Sequence, residues 1–392
     1  MKTLCLTFAM LFTASATFAQ SIIPLRMTHG PWIQNVKDTE ATFCYMTNVP
    51  AVPGIQLIQK DLRMDTLIRN STDGLINAGG ILHKVTITGL KPGYAYTYRP
   101  VSVELLKMRP YQVYYGDTLR SREFTFRTPS REKDTVRFLV VNDIHTNGTK
   151  LAAHLRDGKA SESDLVFMNG DLLDVFEEEN QLLGPIIDTS VRYFASSVPL
   201  VFIRGNHETR GIMARSLKNY LVYPENRYYF SFDRGPVHFI VLDCGEDKPD
   251  DNRYYYGLAD YDRYRLEQLE WIRKEVASES FRNARFRIWL IHMPILGDAD
   301  AHGMKFLNEH FGPVIRAAGG DLIISAHTHR FKWLDDKSSG LGFPMVINGN
   351  NDRITAEVTP DAMRLKVTSD KNQLIAEKTI IVGLANGSLR KD

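Results

Sequence analysis

Two rhythms of apolar residues divide the chain. From about Leu25 to Thr128, runs such as Ala41-Thr42-Phe43-Cys44-Tyr45-Met46 and Lys84-Val85-Thr86-Ile87-Thr88 partly alternate with polar positions. Gly, Pro, Asn and Asp separate them, which predicts short β-strands. From about Val136, apolar runs alternate with stretches of helical spacing, the pattern of α/β architecture. The strands predicted there are Val136 to Val141, Leu165 to Met168, Val198 to Ile203, Val237 to Leu242, Phe286 to Ile291 and Leu322 to Ile324. Between Tyr264 and Val276, Leu266, Leu269, Ile272 and Val276 recur near helical spacing, so that stripe and Trp271 are assigned to core packing. Alternation returns in Met345-Val346-Ile347 and Met363-Arg364-Leu365-Lys366-Val367, a tail expected to complete the sheet.

In Gly89-Leu90-Lys91-Pro92-Gly93-Tyr94-Ala95-Tyr96-Thr97-Tyr98, a leucine, a proline and a tyrosine are spaced as in the corner of a fibronectin type III-like sandwich. Residues 25–128 therefore resemble a small Ig-like module, with Pro129 and the polar Ser130-Arg131-Glu132-Lys133-Asp134 as linker to a second domain, 135–392. Tyr94, Tyr96, Tyr98, Tyr111, Tyr114 and Tyr115 are assigned to core or corner positions in preference to a ligand surface. Residues 1–19 have the basic start, apolar centre and small-residue ending of a secretory signal, and are too short for a membrane span with ordinary flanks. Cys5 lies too near the start for a lipoprotein cleavage site.

Export changes the charge and cysteine picture little. Removing Lys2 from 48 basic residues leaves 47 against 46 acidic ones, a formal charge of +1. No field that would draw nucleic acid or a membrane surface remains. Cys44 and Cys244 lie in apolar contexts in different predicted domains and read as two buried thiols.

The chemistry sits where the second set of strands ends. Gly205-Asn206-His207-Glu208 follows the strand ending at Ile203, where an ordinary turn needs only glycine and a cap. Other strands deliver Asp143 and His145, Asp171, Asp243, His292, and His327 and His329. Open α/β sheets place their sites at such an edge. Asp143, His145, Asp171, Asn206, His292, His327 and His329 supply seven oxygen or nitrogen donors, more than one transition metal needs. Two cations sharing a bridging carboxylate would use them all. A set without thiolate suits Mn, Fe or Zn better than Cu(I) or an iron–sulfur cluster.

From about Val136 to Asn350 these residues resemble the calcineurin-like metallophosphoesterases, whose pattern runs D-x-H, G-D, G-N-H-D/E, H and G-H-x-H. The preceding sandwich, the G-N-H-E form and His292-Met293-Pro294 are similar to the purple acid phosphatase branch. The resemblance implies an α/β fold, a metallophosphoesterase-type β-sandwich flanked by helices, preceded by a small all-β Ig/fibronectin III-like sandwich. It implies one metal held by Asp143, His145, Asp171 and His329, and a second held by Asp171, Asn206, His292 and His327. Asn206 and His207 would contact substrate. His207 would be the catalytic acid, oriented by a nearby carboxylate, with Glu208 as one candidate.

The implied function is an exported enzyme with two divalent metal ions (Mn, Fe or Zn) that hydrolyses phosphate monoesters by attack of a metal-bound hydroxide on phosphorus. A phosphodiesterase of the same fold, or a catalytically inert surface-binding protein, stands as the alternative. The implied partner is a phosphorylated small molecule or other phosphoester substrate. Two departures from the purple branch stand out: His145 replaces its glycine, and Asp174 replaces its tyrosine ligand. Losing that phenolate implies a colourless, divalent-metal enzyme. Ala326 before His327, in place of glycine, is small enough to be tolerated.

Other polar residues have two readings each. His302 and His310 either line the substrate mouth or are solvated. Asp243 either supports the site or caps a turn, and Arg204 either meets phosphate or pairs with a local acid. Glu177-Glu178-Glu179 reads as a solvated helix start, and His29, His83, His154 and His238 as structural.

Overall fold

The computed structural model describes residues 23–59, 64–130 and 134–381, so the predicted signal segment and residues 131–133 of the linker lie outside the described residues. Among the described residues no helix is long and apolar enough to cross a membrane.

The first part of the chain is all strand: β1 (Met27–Gln34), β2 (Glu40–Gln59), β3 (Met64–Ile68), β4 (Ser71–Thr72), β5 (Leu75–Ile76), β6 (Gly80–Thr88), β7 (Ala95–Arg109), β8 (Gln112–Arg120) and β9 (Phe124–Arg127). Pairing joins seven of them into one sheet because β2 serves two layers. Its first half pairs with β1 and β6, its second half with β3 and β7. The layers close on Phe43, whose ring centroid lies 4.5 Å from that of Tyr98 and 5.2 Å from that of Phe126. At the corner Leu90 is buried and the Tyr96 hydroxyl accepts the Lys91 N–H at 2.7 Å. Tyr96 and Tyr98 are core, as expected, whereas Tyr111, Tyr114 and Tyr115 are exposed. Beyond Glu104, β7 pairs only with β8, so this hairpin outruns the second layer that would cover it.

The second part builds two six-stranded sheets. Strands β10 (Val136–Val141), β11 (Leu165–Asn169) and β12 (Leu200–Ile203) are parallel, and the tail adds β19 (Asp352–Val358), β20 (Ala362–Ser369) and β21 (Leu374–Ile381) antiparallel beyond β10. The other sheet runs β13 (Phe230–Arg234), β14 (Val237–Val241), β15 (Phe286–Leu290), β16 (Leu322–Ser325), β18 (Met345–Ile347), β17 (Lys332–Leu334), parallel from β14 to β18. Period-two alternation sorts its side chains. Val237, Phe239, Ile288, Leu290, Ile324 and Val346 join the core between the sheets. Ile240, Trp289, Ile291, Ile323 and Met345 face the outer helices. Phe239 packs 5.5 Å from Phe138 and 5.2 Å from Phe167 of the facing sheet, centroid to centroid.

The helix Tyr261–Glu275 corrects one expectation. Leu269 and Ile272 are buried, but Leu266 is 45% exposed and Arg265 and Gln268 are buried in its place. Polar pairing outweighs apolar burial here. The Gln268 side chain accepts the Asp243 N–H at 2.8 Å and donates to the Asp243 carbonyl at 2.7 Å, and Arg265 Nε donates to the Cys244 carbonyl at 2.9 Å. The helix is thereby tied to the turn after β14. Cys44 and Cys244 are free, buried thiols.

The all-β part packs against the start of β12, with Trp32, Cys44 and Met46 entering the inter-sheet core. The Gln34 side chain donates to the Leu200 carbonyl at 3.4 Å and accepts the Val222 N–H at 3.1 Å. Lys84 Nζ donates to the Lys218 carbonyl at 2.6 Å, and Tyr98 Oη to that of Ser196 at 2.7 Å.

On the outer face of β14, His238 is buried between Asp233 (2.6 Å) and Glu275 (2.8 Å). Burial opposes its charge, but the two carboxylates outweigh burial and raise its pKa from 6.5 to about 9. A folded value above the unfolded one contributes stability that is complete below pH 6.5 and lost as pH rises through about 9. His238→Gln is therefore expected to lower the urea midpoint relative to wild type at pH 6 and to lose most of that deficit by pH 10. An equal deficit at both pH values would show that the imidazolium is not the source.

Candidate metal centre

The predicted donors leave the carboxyl ends of the parallel strands: Asp143 and His145 after β10, Asp171 after β11, Asn206 after β12, His292 after β15, and His327 and His329 after β16. Five of these seven have left-handed backbones, with φ of 49° at Asp143, 52° at His145, 53° at Asp171, 69° at His327 and 61° at His329. Asp, Asn and His tolerate that region better than most side chains, and such strain collects at functional sites. Glycines fill the tightest places. A Cβ on Gly205 would collide with Asp171, and one on Gly170 with the His292 ring.

The donors fall into groups whose ligand atoms lie within 4.8 Å of one another: Asp143 with His145 and His329, and Asp171 with His292 and His327. Asp143 Oδ1 is 3.2 Å from His329 Nε2 and 3.9 Å from both His145 Nε2 and His292 Nε2, so it touches both groups. Asp171 Oδ2 is 2.9 Å from His292 Nε2; in the other group burial lowers the His145 pKa although the Asp171 charge opposes it, and the hydrogen bond to Asp143 raises that of His329. Asn206 is buried, and among the described residues its Oδ1 has no hydrogen-bond partner; the same is true of His327 Nδ1.

These orphaned atoms fit a cation. Buried acceptors without donors are costly unless an ion or water satisfies them, and the set mixes carboxylate, amide and imidazole as Mn, Fe or Zn sites do. Outer contacts aim the ligands. His292 Nδ1–H donates to the Asn169 carbonyl at 2.7 Å, which leaves Nε2 for the centre. Asn142 donates to Asp143 Oδ2 at 2.7 Å and is held in turn by Asn348 at 2.6 Å. His145 Nδ1 lies 2.9 Å from Asp174 Oδ1, so the two departures from the purple-branch pattern are in contact with each other.

Electrostatics mark a site short of positive charge. Burial opposes a charge on His292, yet Asp171 and Asp143 outweigh it and raise its pKa to about 10. His327, pressed by burial and by His292, falls to about 4. Burial, then the Asp171 charge, pushes Glu208 up to about 7.

His207 is placed differently from the expectation. Its Nδ1–H donates to the Asp174 backbone carbonyl at 2.7 Å, and Arg210 Nη1 donates to its Nε2 at 3.0 Å. Glu208 does not orient the ring. It turns inward and accepts the N–H groups of Gly205 (2.8 Å), Asp171 (2.9 Å) and Leu173 (2.9 Å), pinning the β11 and β12 turns together. Arg210 was not anticipated; its only signal is a cation three residues after His207, one turn of the short 3₁₀ helix His207–Thr209. Glu246 clamps it at 2.9 and 3.0 Å.

The remaining candidates take structural places. Arg204 and Asp243 form a buried pair, with the guanidinium 3.9 Å over Tyr228 and the Tyr264 hydroxyl 2.6 Å from the carboxylate. His302 pairs with Asp262 at 2.8 Å, and the His310 ring lies 4.2 Å from that of Phe306. Glu178 caps the helix Glu179–Leu182. His29 pairs with Asp188 at 2.9 Å, His83 bonds Thr47 at 2.8 Å, and His154 is buried.

Known proteins resemble this chain in sequence and in fold. Purple acid phosphatase 15 of Arabidopsis thaliana is 26% identical over 299 residues, 66% of this chain and 51% of that protein. Human acid phosphatase type 7 is 24% identical over 280 residues, 67% of this chain and 58% of the relative. The chain thus spans little more than half the length of these relatives. The structure of purple acid phosphatase PPD1 from yellow lupin seeds superposes with a TM-score of 0.67 at 14% identity, covering 92% of this chain and 77% of that one. A structure of PhoD gives 0.56 at 13% identity, covering 89% and 88%. The family model for calcineurin-like phosphoesterase matches residues 136–331, from the first residue of β10 to just past His329. A match that takes in half the chain and every predicted donor places this protein in the calcineurin-like phosphoesterase family.

Proposed function

We propose that this protein is an exported phosphoesterase that hydrolyses phosphate monoesters at a centre for two divalent metal ions. In this reading Asp143, His145, Asp171 and His329 would hold one ion and Asp171, Asn206, His292 and His327 the other, with Asp171 common to both sets. The observation that carries it is the pair of donor groups where the parallel strands of the two sheets end, free of thiolate, with unsatisfied buried ligand atoms and His207 beside them. When bound, the two ions supply Lewis acidity and a nucleophile at neutral pH. The export signal and the N-terminal fibronectin III-like module are part of the same proposal.

The chain's own residues supply positioning and proton transfer. Asp174 fixes the His207 ring through its carbonyl, so Nε2, 3.9 Å from Asp171 Oδ2, faces the centre. Once Nε2 has taken up a proton, His207 donates it to the departing oxygen, and the Arg210 Nη1–H that Nε2 now accepts is released to the same oxygen while Nε and Nη2 stay on Glu246. Arg210, held by Glu246, places a fixed positive charge beside that oxygen. The neutral amide of Asn206 adds a ligand without further negative charge, so its ion stays a stronger Lewis acid.

Four outcomes test this reading. His207→Ala is expected to keep both metals by elemental analysis and to lose roughly 10²–10⁴-fold in kcat for esters with poor leaving groups. Unchanged turnover would remove His207 from the reaction. Asp171→Asn is expected to lose metal as well as activity; two ions retained per chain would refute the bridge. Because Asp174 offers no phenolate, the metal-loaded protein is expected to be colourless, and a visible charge-transfer band would contradict divalent ions held without tyrosine. Paired mono- and diester chromogenic substrates, assayed with Mn, Zn and Fe, separate phosphomonoesterase from phosphodiesterase, and inertness at full loading would revive a binding role.

A further inference from the structure

A groove of about 860 Å³ opens beside the centre, and of its lining only Arg210 has a part in the roles above. Arg210 connects the two, since it lines the groove and lies 3.0 Å from His207 Nε2. Arg204, Arg215, Lys218 and Lys248 also line it, and no carboxylate does. Part of that charge is answered from behind. Asp243 holds Arg204, Glu246 holds Arg210 at 2.9 Å, and Asp247 holds Lys248 at 2.7 Å. Five cations against three acids leave an excess of two, at Lys218 and Arg215.

Neither has a carboxylate partner among the described residues. The Lys218 ammonium sits 4.4 Å over the Tyr228 ring and donates to the Asn226 carbonyl. Arg215 stands on the turn Ile212–Ser216, exposed, with no hydrogen bond or ion pair to another described residue. The rim is apolar: Ile212 and Leu258 are 74% exposed and Tyr254 63%. A groove wall that is cationic while its rim is apolar suits a molecule with an anionic group on a ring or short carbon body. Screening of a partly enclosed charge is weaker than that of a fully solvated one.

We propose that this groove receives the leaving group of the substrate, and that the preferred leaving group carries a second phosphate. An oxygen departing toward His207 has Arg210 next to it, so the body attached to that oxygen runs into the groove and brings its other anionic group toward Arg215. The proposal rests on the phosphoesterase reading. Arg215 is here a specificity residue and takes no part in bond breaking.

The test compares kcat/KM for phenyl phosphate and for 1,4-phenylene bisphosphate, using the metal-loaded full chain. The wild type is expected to prefer the bisphosphate beyond the factor of two from its two equivalent esters. Arg215→Gln is expected to lower that preference roughly fivefold, the worth of one partly exposed charge pair, and Arg215→Glu to lower it further. Added salt should shrink the wild-type preference. Both substrates falling together, or a preference unchanged in both variants, would overturn the assignment of the groove while leaving the centre intact. No hydrolysis of phenyl phosphate by the loaded wild type would instead bring down the phosphomonoesterase reading, and this inference with it.

Discussion

Two carboxylates with almost no contact to water, Asp143 and Asp171, set the terms for everything around them. An isolated buried carboxylate is costly, and two side by side repel, so the fold must supply compensating charge at that spot. Imidazoles from three separate strand ends converge there, and His292 is the clearest case: its Nε2 stands 2.9 Å from Asp171, while its other nitrogen is anchored to the Asn169 carbonyl. Residues 143 and 329 leave strands of different sheets, β10 and β16, and meet because the two facing sheets bring the ends of their parallel strands together.

That demand reaches into the backbone. Left-handed conformations at five donor positions are affordable only because the turns are fixed from outside. Glu208 ties three amide groups from two turns to one side chain, and Gln268 with Arg265 ties the turn after β14 to a helix. Buried polar side chains that look out of place on a hydrophobic count are thus the fasteners of the sheet edge.

How much could be read beforehand depended on whether a residue's role followed from local pattern. Strand ends, glycines and donor types are local, so the cluster of donors at strand ends was legible, whereas its division between two sheets was not. Leu266 was misjudged because helical spacing cannot reveal that Gln268 would find both Asp243 backbone groups and turn the buried face. The place of Glu208 was equally hidden: adjacency to His207 suggested a partner for the ring, whereas its three amide donors belong to turns separated by more than thirty residues. Arg210 and Asp174 are contacts made by folding, and nothing in their own neighbourhoods announces them. Tyr111 and Tyr115 were misread for the converse reason, since a strand can alternate correctly and still extend past the layer meant to cover it.

One continuous strand, β2, is shared between both layers of the all-β part. Neither layer possesses a complete set of strands of its own, so there is no hinge along which they could part, and loosening one half withdraws a neighbour from the other. The module should behave as a single cooperative block that melts at once and has no half-open form. Its hold on the first residue of β12 is then all or nothing too, which makes the all-β part a rigid brace under the strand that carries Asn206.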